Sequence, residues 1–184
     1  MPAAVTIRGH SQGLEAGVNE DLRLEVDSVE RPFVSFASAK GDTYAAVFHR
    51  TLSGTSEQAI LHVKNDNPRS SIHICKVILS SNGAAVRMRA YSGATRTSGG
   101  ASVTPVNQNT AASDQSQITA YDNSSGALTL STAAGFLVRD ITAQVFLLDL
   151  EGSVILGPGK QLGVTVQGTS GDEIAINVVF VECE

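Results

Sequence analysis

Serine, histidine and acidic side chains are the first place to look for chemistry, and one stretch has a suggestive spacing. Gly9-His10-Ser11-Gln12-Gly13 matches G-x-S-x-G, the elbow in which a nucleophilic serine sits on a strained strand-to-helix turn. An apolar run, Val5 to Ile7, precedes it, and His49, His62 and His73 follow as candidate bases. Such an elbow comes after several βα units, however. This one starts at residue 9, and no helix pattern begins at Leu14. The expected reading is a glycine-flanked bend in which Ser11 does no chemistry.

The remaining candidates are weaker. His73 and Cys75 alternate on one strand and could meet His62 on a neighbour, but zinc sites use shorter paired spacings and three or four ligands. Gly157-Pro158-Gly159-Lys160 lacks the first glycine, the Ser or Thr and the helix of a phosphate loop, so it reads as a turn. Asp140, Asp149, Glu151 and Asp172 are too scattered for the carboxylate pair of glycoside hydrolysis. Asn123-Ser124-Ser125 is a glycan acceptor only in a secreted chain. Arg87, Arg89 and Arg96 are a local positive cluster, either a solvated strand face or a contact for an acidic partner. No catalytic, cofactor-binding or metal-ligating residue is nominated. An enzyme is not expected, and neither is a cofactor.

The elements that would position these residues are strands. Ser71 to Tyr91 reads as two strands about an Asn82-Gly83 turn, and so as a β-hairpin. Its first run holds Ile72, Ile74, Val77, Ile78 and Leu79. Its second alternates Val86, Met88 and Ala90 with Arg87, Arg89 and Tyr91. Before it, Phe33 to Phe36 and Tyr44 to Phe48 flank Lys40-Gly41-Asp42 as a second hairpin. Ala59 to Lys64 is a strand that ends at Asn65-Asp66-Asn67-Pro68. Residues 92–127 are loop-rich, with short strands at Gln117 to Tyr121 and Leu128 to Ser131. A loop that long is functional or hides strands. Ile141 to Leu150 is a strand, turned at Glu151-Gly152-Ser153 so that Val154 to Leu156 returns. Leu162, Val164 and Val166 alternate in another, and Glu173 to Glu182 closes the chain. In residues 1–30 only Leu22, Leu24 and Val26 alternate with polar neighbours, which suggests an N-terminal arm. The expected fold is all-β: an antiparallel, jelly-roll-like β-sandwich over residues 31–184 with an extended arm at 1–30.

Composition narrows the function classes. The 184 residues suffice for a core without disulfide staples. Two cysteines, Cys75 and Cys183, make no framework, and Cys75 is expected to be a small core residue. A net charge of −5 with no basic run argues against nucleic acid. No apolar window reaches the length of a membrane span, and the first residues lack the apolar stretch of a secretory leader.

One succession carries a resemblance. A strand ends at Asn65-Asp66-Asn67-Pro68, and Thr104-Pro105-Val106-Asn107-Gln108-Asn109 follows. Ile155-Leu156-Gly157-Pro158-Gly159-Lys160-Gln161-Leu162 then precedes two closing strands. This order, over about two thirds of the chain, resembles the β-sandwich decoration, cement or head-fibre proteins of tailed-phage capsids. The resemblance implies a jelly-roll-like domain, commonly trimeric, whose arm grips the capsid or a neighbour. It transfers no individual residue. The resulting expectation is a structural virion protein. Its partners would be the major capsid protein and its own copies in a homotrimer. It would lie on the capsid surface after synthesis in a host cytoplasm, with no nucleic acid or membrane bound. The alternative is a host-glycan-binding module of a tail fibre or spike. Such a site wants aromatic platforms, and the chain has no Trp and only Tyr44, Tyr91 and Tyr121.

Overall fold

A computed structural model describes residues 15–18, 24–27, 37–38, 40–83, 85–131, 134–141 and 145–183. The chain divides into two compact units, Met1–Phe36 and Ala37–Glu184. In the first, β1 (Glu15–Val18) pairs antiparallel with β2 (Leu24–Asp27). The strand expected around Leu24 and Val26 is β2, and its partner β1 carries too few apolar residues to have signalled itself. The Gly9–Gly13 bend, Ser11 included, and the Phe33 to Phe36 run lie outside the described residues.

The second unit is all-β. Its strands are β3 (Thr43–Thr51), β4 (Gln58–Asn65), β5 (Ser71–Ser81), β6 (Val86–Ser92), β7 (Arg96–Ser98), β8 (Ala101–Val103) and β9 (Val106–Asn107). There follow β10 (Ile118–Asp122), β11 (Thr129–Leu130), β12 (Ala134–Ile141), β13 (Val145–Leu156), β14 (Gln161–Gln167) and β15 (Glu173–Cys183). A five-stranded antiparallel sheet runs β13-β5-β15-β3-β9, and a six-stranded one β12-β6-β14-β4-β10-β8. The two pack face to face as a sandwich. Phe48, Ile74, Leu79, Ile176 and Phe180 of the first meet Leu61, Val63, Met88, Val164 and Val166 of the second in one buried core. Period-two alternation makes this happen: β14 buries Leu162, Val164 and Val166, and β15 buries Ile174, Ile176, Val178 and Phe180. Burying each such side chain contributes roughly 1.5–3 kcal/mol.

No two consecutive strands pair within either large sheet, and three sequence expectations change as a result. Ser71 to Tyr91 is not a hairpin: β5 pairs with β13 and β15, while β6 pairs with β12 and β14 in the other sheet. Asn82-Gly83 is the crossover between sheets. Its conformation is fixed by Gly83 N donating to Ser81 Oγ (2.9 Å) and Glu173 N donating to Asn82 Oδ1 (2.7 Å). Two amphipathic strands can hide their apolar faces side by side or face to face, and here they do so face to face. Ile141 to Leu150 is not one strand either, because Ile141 ends β12 in one sheet and Val145 begins β13 in the other. Finally, Glu151-Gly152 does not turn the chain. It is a bulge: β13 stays on β5 from Val145↔Ser80 to Leu156↔Ile72, with a register shift between Asp149 and Val154. Left-handed residues absorb the extra length, Glu151 at φ 48° and Gly152 at φ 77°.

The loop-rich stretch carries short strands that join the sheets. β9 adds to β3, β10 to β4, β8 to β10, and β7 pairs with β11. The strands expected at Gln117 to Tyr121 and Leu128 to Ser131 are β10 and β11, whereas β7, β8 and β9 were hidden because each is two or three residues long, too short for alternation to register.

Candidate interaction surfaces

The outer face of the six-stranded sheet carries a polar network. Glu57 organises it by accepting hydrogen bonds from Arg89, Tyr91 and Thr165, the Tyr91 contact at 2.8 Å. Burial alone would raise the Glu57 carboxyl; the bonds from Thr165 and Tyr91 and the Arg89 charge outweigh it and hold it below the usual range. Arg87 makes a forked pair with Asp140, at 2.5 and 3.0 Å. Arg96 lies over the Tyr121 ring, 3.8 Å from its centroid, and donates to the Gly99 carbonyl at 2.6 Å. The arginine cluster is therefore matched within the chain. The tyrosines are similarly occupied. Tyr44 is buried against Phe180 with ring centroids 5.7 Å apart, Tyr91 is bonded to Glu57, and Tyr121 lies under Arg96.

The candidate metal ligands do not assemble. His62 lies buried on β4, with Nε2 donating to Gln161 Oε1 at 2.8 Å, whereas His73 and Cys75 belong to β5 in the other sheet. Burial pushes His62 below its ordinary value. The Arg96 and Lys64 charges add to this against the bonds to Gln161 and Ala94. Cys75 is fully buried and its thiol is pushed up to about 11, chiefly by burial. It is the core residue the sequence suggested. Among the described residues no group of three or more His, Cys, Asp or Glu could hold a metal ion.

Hydrolytic pairings fare no better. His49 and Ser80 share an outward row of the five-stranded sheet, but Ala175 on β15 stands between them. Two strand spacings, about 10 Å, separate them, beyond hydrogen-bond reach. The scattered acids divide between the sheets: Asp140 on β12 pairs with Arg87, and Asp149 on β13 lies 3.9 Å from Lys76. The Gly157–Lys160 turn donates Gly159 N to Asn65 O (2.9 Å) and Lys160 N to Gly157 O (3.0 Å), so these amides are not free for a phosphate. Asn123 is buried and donates to the Ala59 carbonyl at 2.6 Å, which removes it as a glycan acceptor.

What the sequence reading missed is apolar. Val47, Val106, Val145, Leu147 and Ile155 stand exposed on the five-stranded sheet, and Phe136 and Val138 on β12, each at 46% or more of its full area. Leu147 pairs across with Ile78, Ile78 with Asn177, and Asn177 with Val47, so one outward row crosses four strands. β12 and β13 are the terminal strands of their sheets. Between the sheets at this side lies a small cavity of about 20 Å³ lined only by apolar side chains, among them Phe136, Leu137, Leu148, Leu150 and Val154. The signal was available in Phe146-Leu147-Leu148, which places apolar residues on both faces of one strand. One face meets the core, and the other meets no covering element among the described residues.

No family model matches the chain, and no curated protein is significantly similar to it in sequence.

Proposed function

We propose that the protein is a structural virion protein that decorates or cements a tailed-phage capsid by surface complementarity, with the major capsid protein as its partner. The observation that carries this reading is the exposed aliphatic surface of the five-stranded sheet and of β12. Apolar side chains left exposed on a sheet face, Leu147, Ile155 and Val47 among them, mark protein–protein contact. A shell protein needs such surfaces for the shell and for its own copies. Closed symmetry lets many modest contacts act together.

The strand order supports the finer fold. β3-β15-β5-β13 faces β4-β14-β6-β12, with consecutive strands changing sheet except from β6 to β12. That order supports the double Greek key of a jelly roll, an architecture shared by viral capsid and lectin domains. Burial of Tyr44 against Phe180 and the Arg96 guanidinium over Tyr121 weigh against the glycan-binding alternative, which wants free aromatic faces.

The test is co-sedimentation with empty phage capsids built from the cognate major capsid protein, for the full chain and for a chain lacking residues 1–30. Saturable binding at a fixed ratio to shell subunits is expected, weakened by the truncation. Failure of the full chain to bind would sink the decoration reading.

A further inference from the structure

Four residues stand in one outward row across the six-stranded sheet: Tyr121 of β10 beside His62 of β4, then Gly163 of β14 and Tyr91 of β6. An outward residue should be wet, yet His62 is only 3% exposed. The β7–β11 pair covers it. Gly163 is the seat, for a Cβ there would stand 2.7 Å from both Ala94 Cβ and Leu130 Cδ1. Beside that contact the Ala94 backbone meets the His62 ring, and Arg96 lies over Tyr121. The cover is tied down lightly. β7 and β11 form a two-stranded sheet separate from the large one, with a ladder of Thr129↔Ser98 and Leu130↔Arg96. Ser131 N donates within it to Thr95 O at 2.8 Å, and Gly93 N reaches the large sheet at Gln161 O, also at 2.8 Å. Left-handed glycines bracket β7, Gly93 at φ 75° and Gly99 at φ 66°, and supply its pivots.

We propose that the β7–β11 pair is a strap that lifts off the six-stranded sheet when His62 takes up a proton. The inference is independent of the capsid reading. The groups around the ring set its direction. Lys64 on the same strand and Arg96 on the strap are cationic, and Tyr121 of β10 and Gln161 of β14 are neutral. The nearby acid, Asp66, is paired with Lys64. An imidazolium under the closed strap would therefore sit out of water within reach of two cations. With the strap lifted, water hydrates the ring. Burial, joined by the two charges, outweighs the bonds to Gln161 and Ala94 and holds the covered imidazole below the ordinary value of about 6.5. Between the two values the lifted form holds the extra proton, so acid favours lifting.

The test is amide hydrogen exchange at about pH 7.5 and about pH 5.5, on either side of the free imidazole value, read as protection after correction for the intrinsic rate. Protection at Gly93 and Ser131 should fall severalfold at the lower pH, by at most about tenfold per pH unit for a single proton. That loss should depend little on denaturant, because lifting the strap exposes little surface, unlike the global opening read at β15. His62→Gln should hold the strap equally protected at both pH values. Gly163→Ala places a Cβ against Ala94 and Leu130 without altering His62 itself. Its strap amides should be weakly protected at both pH values, and its His62 ring, followed by NMR, should titrate near about 6.5. Equal protection of the wild-type strap at the two pH values, or the same loss in His62→Gln, would overturn the proposal. So would a strap loss that carries the full denaturant slope of β15, or a His62 ring that titrates in Gly163→Ala as it does in the wild type.

Discussion

Glu57 and His62 make the polar side of the sandwich sensitive to pH, in two different windows. The folded Glu57 carboxyl titrates below the unfolded value of about 4.3, so acidification protonates the unfolded chain first. Its contribution is complete above that pH and is lost as pH falls through the folded value. His62 titrates below its unfolded value of about 6.5, so between the two values the unfolded chain again holds the extra proton. Stability therefore also falls as pH drops below 6.5, because a buried imidazole resists charging. We expect the melting temperature to decline on acidification first through the histidine window and then below pH 4.3. His62→Gln should flatten the first decline. Glu57→Gln should flatten the second and lower the melting temperature at neutral pH, since Arg89 loses its partner. Unchanged profiles would remove both residues from the account. Such roles are illegible in sequence. Glu57 sits in a polar loop, and its three partners come from β6 and β14, strands that only the fold brings beneath it.

At the scale of elements, alternation is legible and partnership is not. Gln58–Asn65, Gln161–Gln167 and Glu173–Cys183 announce themselves because side-chain direction is a local property with period two. The Ser71 to Tyr91 hairpin fails because Asn-Gly permits a tight turn without requiring one, and burial of both apolar faces decides instead. The Glu151-Gly152 bulge is the same lesson in reverse, for a turn dipeptide lies inside a strand that β5 holds on both sides of it. Gly152 is buried and at φ 77°, where a Cβ costs about 1–2 kcal/mol. Gly152→Ala should therefore lower the unfolding free energy by at least about 1 kcal/mol in urea titration. Glu151→Gly should not lower it, since Glu151 already occupies that region at φ 48°. Equal losses for the two would show that the bulge is held by side-chain contacts and not by backbone conformation.

For the whole molecule, alternation of strands between sheets sets how it opens. β15 lies between β5 and β3, with registers running from Glu173↔Thr51 to Cys183↔Ser71, so one strand ties together segments more than a hundred residues apart. Local opening of β15 would unmake both of its neighbours, and its amides should exchange only through global unfolding. The terminal strand β9 and the β7–β11 pair are held by ladders of two or three residues, and their amides should exchange orders of magnitude faster. Hydrogen–deuterium exchange at rising denaturant reads this directly. The β15 amides should follow the global unfolding slope, and the short strands should show little dependence. Exchange from β15 with no denaturant dependence would mean that the five-stranded sheet can open alone. The long sequence separation of most large-sheet pairings also predicts folding on the millisecond-to-second scale, since loop closure precedes each gain in burial.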